Sequence, residues 1–198
     1  MRTRVSDLLQ IENIVIHTSH HTHCVIGTGA NNPQKADPMS SRETLDHSIM
    51  YIFAVALEDG QWHHIHSYGI ERASRPATVR LWKKIETRED PEWTRRYHCA
   101  DPAERAFGGR VEIFLRNGER IEDEIKVANA HALGASLLDR DGYRSKFRVL
   151  TEGILSVEEA DRFLEAVQDL PKIQSGQLGW LNPAVPLESL VEGNGGIL

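Results

Sequence analysis

The sequence has little cysteine, few aromatics and no long apolar run, and each shortage excludes something. Its 198 residues include two cysteines, Cys24 and Cys99, too few for a disulfide framework. A reducing, cytoplasmic setting is the default for such a chain. No stretch approaches the roughly 18 uninterrupted apolar residues that span a bilayer, so no membrane partner is expected. The opening MRTRVSDLLQ lacks an apolar core of signal-peptide length. Positive charge is not in excess: 23 Lys plus Arg against 29 Asp plus Glu gives a formal net charge of −6. That balance argues against nucleic acid, whose phosphates require clustered cations. What is present, 40% apolar and 26% charged residues, suits an ordinary globular chain of one large domain or two small ones.

The element pattern predicts an α+β fold: a small antiparallel or mixed sheet with a buried helix, followed by C-terminal helices. Ile11–Ser19 reads as a strand, with β-branched Ile14, Val15 and Ile16. The following HHTHCVIG extends it or begins another. Gly27–Ser40 is rich in Gly, Asn, Pro and Asp and reads as a long loop. Ser40 with Glu43 forms a candidate capping box for one helix that runs to Asp59-Gly60. That helix is apolar on nearly every face, which predicts burial. Pro76 opens a shorter helix through about Ile85, and Glu89 to His98 is irregular or one helical turn. Arg110–Val127 is the strongest hairpin signal, with Asn117-Gly118 suited to a type I′ turn. Ala128–Asp141 is another loop. Helices are expected from Tyr143 to about Gly153 and from Ser156 to about Leu170. The Gly- and Pro-rich tail from Gln174 hugs a surface or frays. The expected division is residues 1–135 and 136–198.

Ten histidines are unevenly distributed. His20-His21-x-His23, with Cys24, and His63-His64-x-His66 are candidate metal ligands. Neither cluster matches a zinc spacing or contains a carboxylate. The plainer reading, hydrogen-bonded and partly exposed histidines, is the stronger one. His47 and Tyr51 stand four apart on the expected buried helix, hence on one face. A phenol beside an imidazole can move protons at neutral pH, or can be a core hydrogen bond. Gly27-Thr28-Gly29 with Lys35 lacks the complete phosphate-loop pattern.

The run HTSHHTHCVIGTGANNPQKADPMSSRETLDHSIMYIFAVALEDG resembles the 2-methylcitrate dehydratase (MmgE/PrpD) family. EDPEWTRRYHCADPAERAFGGRVEIFLRNGERIEDEI and the KF of YRSKFRVL extend the likeness from about Val5 through the C-terminal helices. The resemblance implies a chain equivalent to the α/β lid domain plus the helices that return to an N-terminal helical domain. The family's cleft lies between those two domains, and the histidine and aspartate residues on the helical side have no counterpart here. Within DHSIMY, Tyr51 falls on the family's catalytic tyrosine and His47 on its usual histidine. His131 matches a segment near the cleft, although AHALGAS is less basic than other versions.

The resemblance implies loss of water from 2-methylcitrate, giving 2-methyl-cis-aconitate, with no metal, iron–sulfur cluster or other cofactor. A C–H beside a carboxylate loses its proton and a tertiary hydroxyl leaves. The tricarboxylate needs cations, and Lys35, Arg42 and Arg72 are candidates by loop position. The expected partner is an N-terminal helical domain or a second copy in a homodimer. Alone, the chain is expected to be weakly active or inactive. A catalytically silent binding module, a cis-aconitate decarboxylase or an epimerase are the alternative readings.

Overall fold

The computed structural model describes residues 2–187, and the rest of the predicted tail lies outside them. The described residues fall into two compact units that divide between Leu137 and Leu138. In the first, β1 (Ile11–Thr18) leads into α1 (His20–Ile26), then α2 (Arg42–Asp46), α3 (Ile49–Asp59), α4 (Ile70–Ala73) and α5 (Pro76–Trp82). Strand β2 (Ile85–Glu89), helix α6 (Pro91–Tyr97) and the hairpin β3 (Gly109–Leu115) and β4 (Arg120–Ile125) follow. The sheet order is β2-β1-β3-β4. β1 pairs parallel with β2, Ile14 facing Ile85, and antiparallel with β3, Ile14 facing Ile113. The sheet is therefore mixed, and the fold is α+β as expected.

One sheet face carries the core. Ile14 and Ile16 of β1, Ile85 of β2, Ile113 of β3 and Ile121 of β4 are buried with Met50, Tyr51, Ala54, Val55 and Leu57 of α3. Leu81 and Trp82 of α5 close the same cluster. The opposite face carries a polar network beside buried Val15: the Glu112 carboxylate bonds His17, Arg120 at 2.7 Å and Arg110 at 3.3 Å, joining β1, β3 and β4.

Several local expectations are corrected. HHTHCVI is not strand but helix α1, because the Ser19 side chain caps it by accepting the Thr22 N–H. His21 and His23, two apart on a helix, consequently do not share a face. The single helix expected from Ser40 is two helices. Ser41, not Ser40, caps α2, and Ser48 caps α3, with His47 between the two helices as the C-cap of α2. The pair His47 and Tyr51 thus loses the i, i+4 geometry that would have put both on one face. Ile85 starts β2 rather than ending the Pro76 helix, and Glu89 to His98 holds a full helix, α6. The hairpin forms, but as a three-residue loop. Gly118 N–H donates to Leu115 C=O, and only Gly118 has positive φ (86°), the arrangement of a type I turn plus a left-handed glycine rather than type I′.

The second unit contains α7 (Arg140–Thr151) and α8 (Val157–Gln168). Phe147 stacks on Phe163 at 5.0 Å, and Ala160 and Leu164 are buried. Ser156 caps α8, but the Glu159 carboxylate bonds Arg162 and the Ala184 N–H instead of closing a capping box. Those bonds hold the Glu159 carboxyl down at about 2. Arg162 reaches the carbonyls of Trp180 and Asn182, so this part of the tail lies against α8.

Candidate functional site

The break between α2 and α3 presents the candidate chemistry. A helix that ends at His47 leaves carbonyls without intrahelical donors. The His47 carbonyl receives Lys35 Nζ. Lys35 lies on a short 3₁₀ turn, Pro33–Ala36, capped by Asn32. Its own carbonyl accepts the buried Ser48 hydroxyl at 2.8 Å. Among the described residues no carboxylate forms an ion pair with Lys35, although the side chain is buried, and burial lowers its pKa. An ammonium in that position is costly and depends on its one carbonyl.

His47 itself is exposed. Its Nδ1 lies 2.8 Å from the Glu43 carbonyl. A carbonyl only accepts, so Nδ1 carries the hydrogen and the lone pair of the neutral ring is on Nε2. The imidazole is thus held by one nitrogen with the basic one left over. Beside it, Asp46 accepts the Tyr68 hydroxyl, and Arg42 lies over the Tyr68 ring at 5.2 Å. Burial first, then the Asp46 hydrogen bond and charge, raise the Tyr68 pKa. Arg42 is exposed and offers a cation on the same short helix that ends at His47.

Tyr51 is placed differently from the expectation of a cleft-wall phenol. It is 0% exposed, and its hydroxyl donates to the Ser67 carbonyl. Trp82 packs at 4.9 Å, Tyr68 at 6.3 Å and Trp62 edge-on at 6.4 Å. Desolvation raises its pKa, which makes it a poorer acid than a free phenol. In this arrangement it faces the core and the loop that carries Ser67.

Arg72 is also turned inward. It bonds Asp59 through two nitrogens at 2.9 and 3.0 Å, Glu58 at 2.9 Å and the Thr78 hydroxyl. Burial works against its charge, but the hydrogen bonds to Asp59 and Glu58 outweigh it and raise the pKa. It therefore serves carboxylates of the chain itself. His131 is half-buried on its loop, and its Nδ1 accepts the Leu133 N–H at 3.1 Å, which puts the hydrogen of the neutral ring on Nε2. Among the described residues no hydrogen bond or ring contact links it to His47.

The histidine clusters resolve into separate contacts. His20 bonds Glu89 at 2.8 Å, His23 bonds Thr87 at 2.7 Å, and His21 stacks on Tyr97. His63 stacks with His64 and His66 at 4.6 and 4.3 Å. Among the described residues no group of three or more His, Cys, Asp or Glu is arranged to hold a metal ion, and no helix is long and apolar enough to cross a membrane. Thr28 of the discounted glycine loop bonds Thr87 rather than an anion site. Sequence reading missed Asp46 and Tyr68 as partners, because their 22-residue separation carries no periodic signal.

An open groove of about 340 Å³ lies at the first turn of α3, lined by Ile16, Ile49, Phe53, Phe107 and Val111. Asp123 is the charged residue in its lining, and the apolar remainder suits an apolar group.

Comparison with known proteins gives a match to the family model described as the MmgE/PrpD C-terminal domain, over residues 1–172. A curated mitochondrial 2-methylcitrate dehydratase of Yarrowia lipolytica is 34% identical over 93 residues, which is 47% of this chain and 17% of that protein. The match thus covers less than a fifth of the length of that relative.

Proposed function

Starting from a chain that belongs to the MmgE/PrpD family through its C-terminal domain, we propose that it provides the lid side of a hydro-lyase site acting on a tricarboxylate. The reaction we assign is dehydration of 2-methylcitrate, as the name of the relative suggests. The observation that carries this reading is the family match over residues 1–172. The surface geometry at His47 supports it.

In this reading His47 Nε2 takes the proton from the carbon beside a carboxylate. The Glu43 carbonyl keeps the hydrogen on Nδ1, so the ring meets substrate with its lone pair forward. A group on the opposing wall protonates the departing hydroxyl, so that the net change is loss of one water and formation of one C=C bond. Arg42, with two parallel N–H groups, grips a substrate carboxylate. His131 Nε2–H donates to another. Tyr51 holds the Ser67 loop rather than touching substrate. The net charge of −6 repels a trianion at long range, so the local field of Arg42 must dominate near the site. The opposing wall belongs to a helical domain supplied by the same or another polypeptide.

The test is dehydration of 2-methylcitrate by the chain with a family helical domain added, followed by ultraviolet absorbance of the conjugated product. Turnover is expected with both parts and little with the chain alone, since half a site lacks the positioned partner group. His47→Gln should lower the rate by roughly 10²–10⁴. Absence of turnover in the reconstituted pair rejects the assigned reaction; an unchanged rate in His47→Gln removes His47 from it.

A further inference from the structure

We propose that Lys35 is the positioning residue for His47, a clamp that fixes the imidazole from beneath the α2–α3 break rather than a contact to substrate. This rests on the reading of His47 as the lid-side base. The observation is a two-point staple. Lys35 Nζ donates to the His47 carbonyl, and the Lys35 carbonyl accepts the Ser48 hydroxyl from the very next residue. Both bonded side chains are buried, Ser48 fully and Lys35 to 8% exposure. The 3₁₀ turn that carries Lys35 is itself tied down, because Ser40 Oγ donates to the Gln34 carbonyl at 2.7 Å.

Three physical points favour positioning. First, a lysine at this depth is uncommon unless it is paired, and among the described residues its partner is a peptide carbonyl rather than a carboxylate. Second, that carbonyl is one of those a helix end leaves open, so the ammonium satisfies the C-terminus of α2 and its charge complements the negative end of the helix. Third, the His47 main chain is not continued into α3. Its φ of −102° and ψ of 26° lie outside the helical region, and although its N–H still bonds the Thr44 carbonyl at 3.1 Å, its own carbonyl is held by Lys35. Without the clamp the carbonyl side of His47 loses its anchor, and the Nδ1–Glu43 bond that selects the tautomer is no longer fixed.

The experiment compares the full chain with Lys35→Met and Lys35→Arg. Nitrogen chemical shifts of the ¹⁵N-labelled His47 ring report the tautomer directly and need no activity. Wild type should show Nδ1–H alone; Lys35→Met should show a mixture of both tautomers; Lys35→Arg, which keeps donor and charge, should restore the single form. Lys35→Met with an unchanged single tautomer overturns the clamp. In the reconstituted assay Lys35→Met should lower kcat at least tenfold while KM stays within twofold. The opposite split, a tenfold rise in KM at constant kcat, also overturns it, because that marks Lys35 as a carboxylate contact. If wild type shows no turnover, the assigned reaction fails while the ring shifts still decide the clamp.

Discussion

At the scale of single residues, enclosure decides which side chains can do chemistry. Tyr51 and His47 look equivalent in the motif DHSIMY, yet one is sealed and the other exposed. Burial turns the Tyr51 hydroxyl to the Ser67 carbonyl, while the exposed imidazole is the group proposed above to meet substrate. Tyr51→Phe removes the donor to Ser67 and leaves a carbonyl without a partner. The expected cost is about 1–3 kcal/mol, read from the urea midpoint. Its effect on turnover should not exceed a few-fold, because the phenol acts through the loop. A loss of a hundredfold or more with stability retained would restore it as a proton donor. Arg72 gives the same lesson: position in a loop suggested a substrate cation, and the acidic pair Glu58-Asp59, 14 and 13 residues earlier, had no visible link to it until the fold brought them together.

At the scale of elements, what was legible followed from local physics. The β-branched run of β1, the alternation of β3 and the turn at Asn117-Gly118 are properties of neighbours in sequence, and all three form. The misses are of two kinds. Capping serines compete: Ser40, Ser41 and Ser48 all suit a helix start, and only tertiary contacts choose Ser41 and Ser48. Short elements, such as β2 with five residues, carry too few positions for a period to show, and β2 exists because β1 offers it a parallel edge. The polar face that unites three strands makes its own prediction. Desolvation pushes the Glu112 carboxyl up, but the His17 hydrogen bond and the charges of Arg110 and Arg120 prevail and leave it lowered. A lowered acid adds stability above its unfolded value, near 4.3, and that stability disappears as pH falls through the folded value. Glu112→Gln should thus cost about 1.5–3 kcal/mol at pH 7 and flatten the decline of the urea midpoint below pH 4.5. A variant that keeps the wild-type slope would exclude this carboxylate as its source.

At the scale of the molecule, the second unit buries little. Leu164 and Ala160 are buried and Phe147 stacks on Phe163, but Leu150, Val157, Val167, Leu170 and Trp180 remain exposed. Apolar residues at this density on α7, α8 and the 3₁₀ turns after them exceed the scattered exposure of ordinary surfaces. The isolated chain is expected to self-associate, seen in light scattering as a mass that rises with concentration, and to return towards the monomer when a helical domain is added. A single monomeric mass up to millimolar concentration would show that these residues need no cover.

The sheet order has a consequence for synthesis. The central strand is also the earliest made, since Ile14 waits for Ile85 on one flank and Ile113 on the other. While the ribosome adds the intervening seventy to hundred residues, an apolar ribbon stands with both edges unpaired, open to chance pairing with any neighbouring strand. Helix α3, completed well before either flank, is the first cover available to it. The yield of folded protein should depend on how early that helix settles on Ile14 and Ile16.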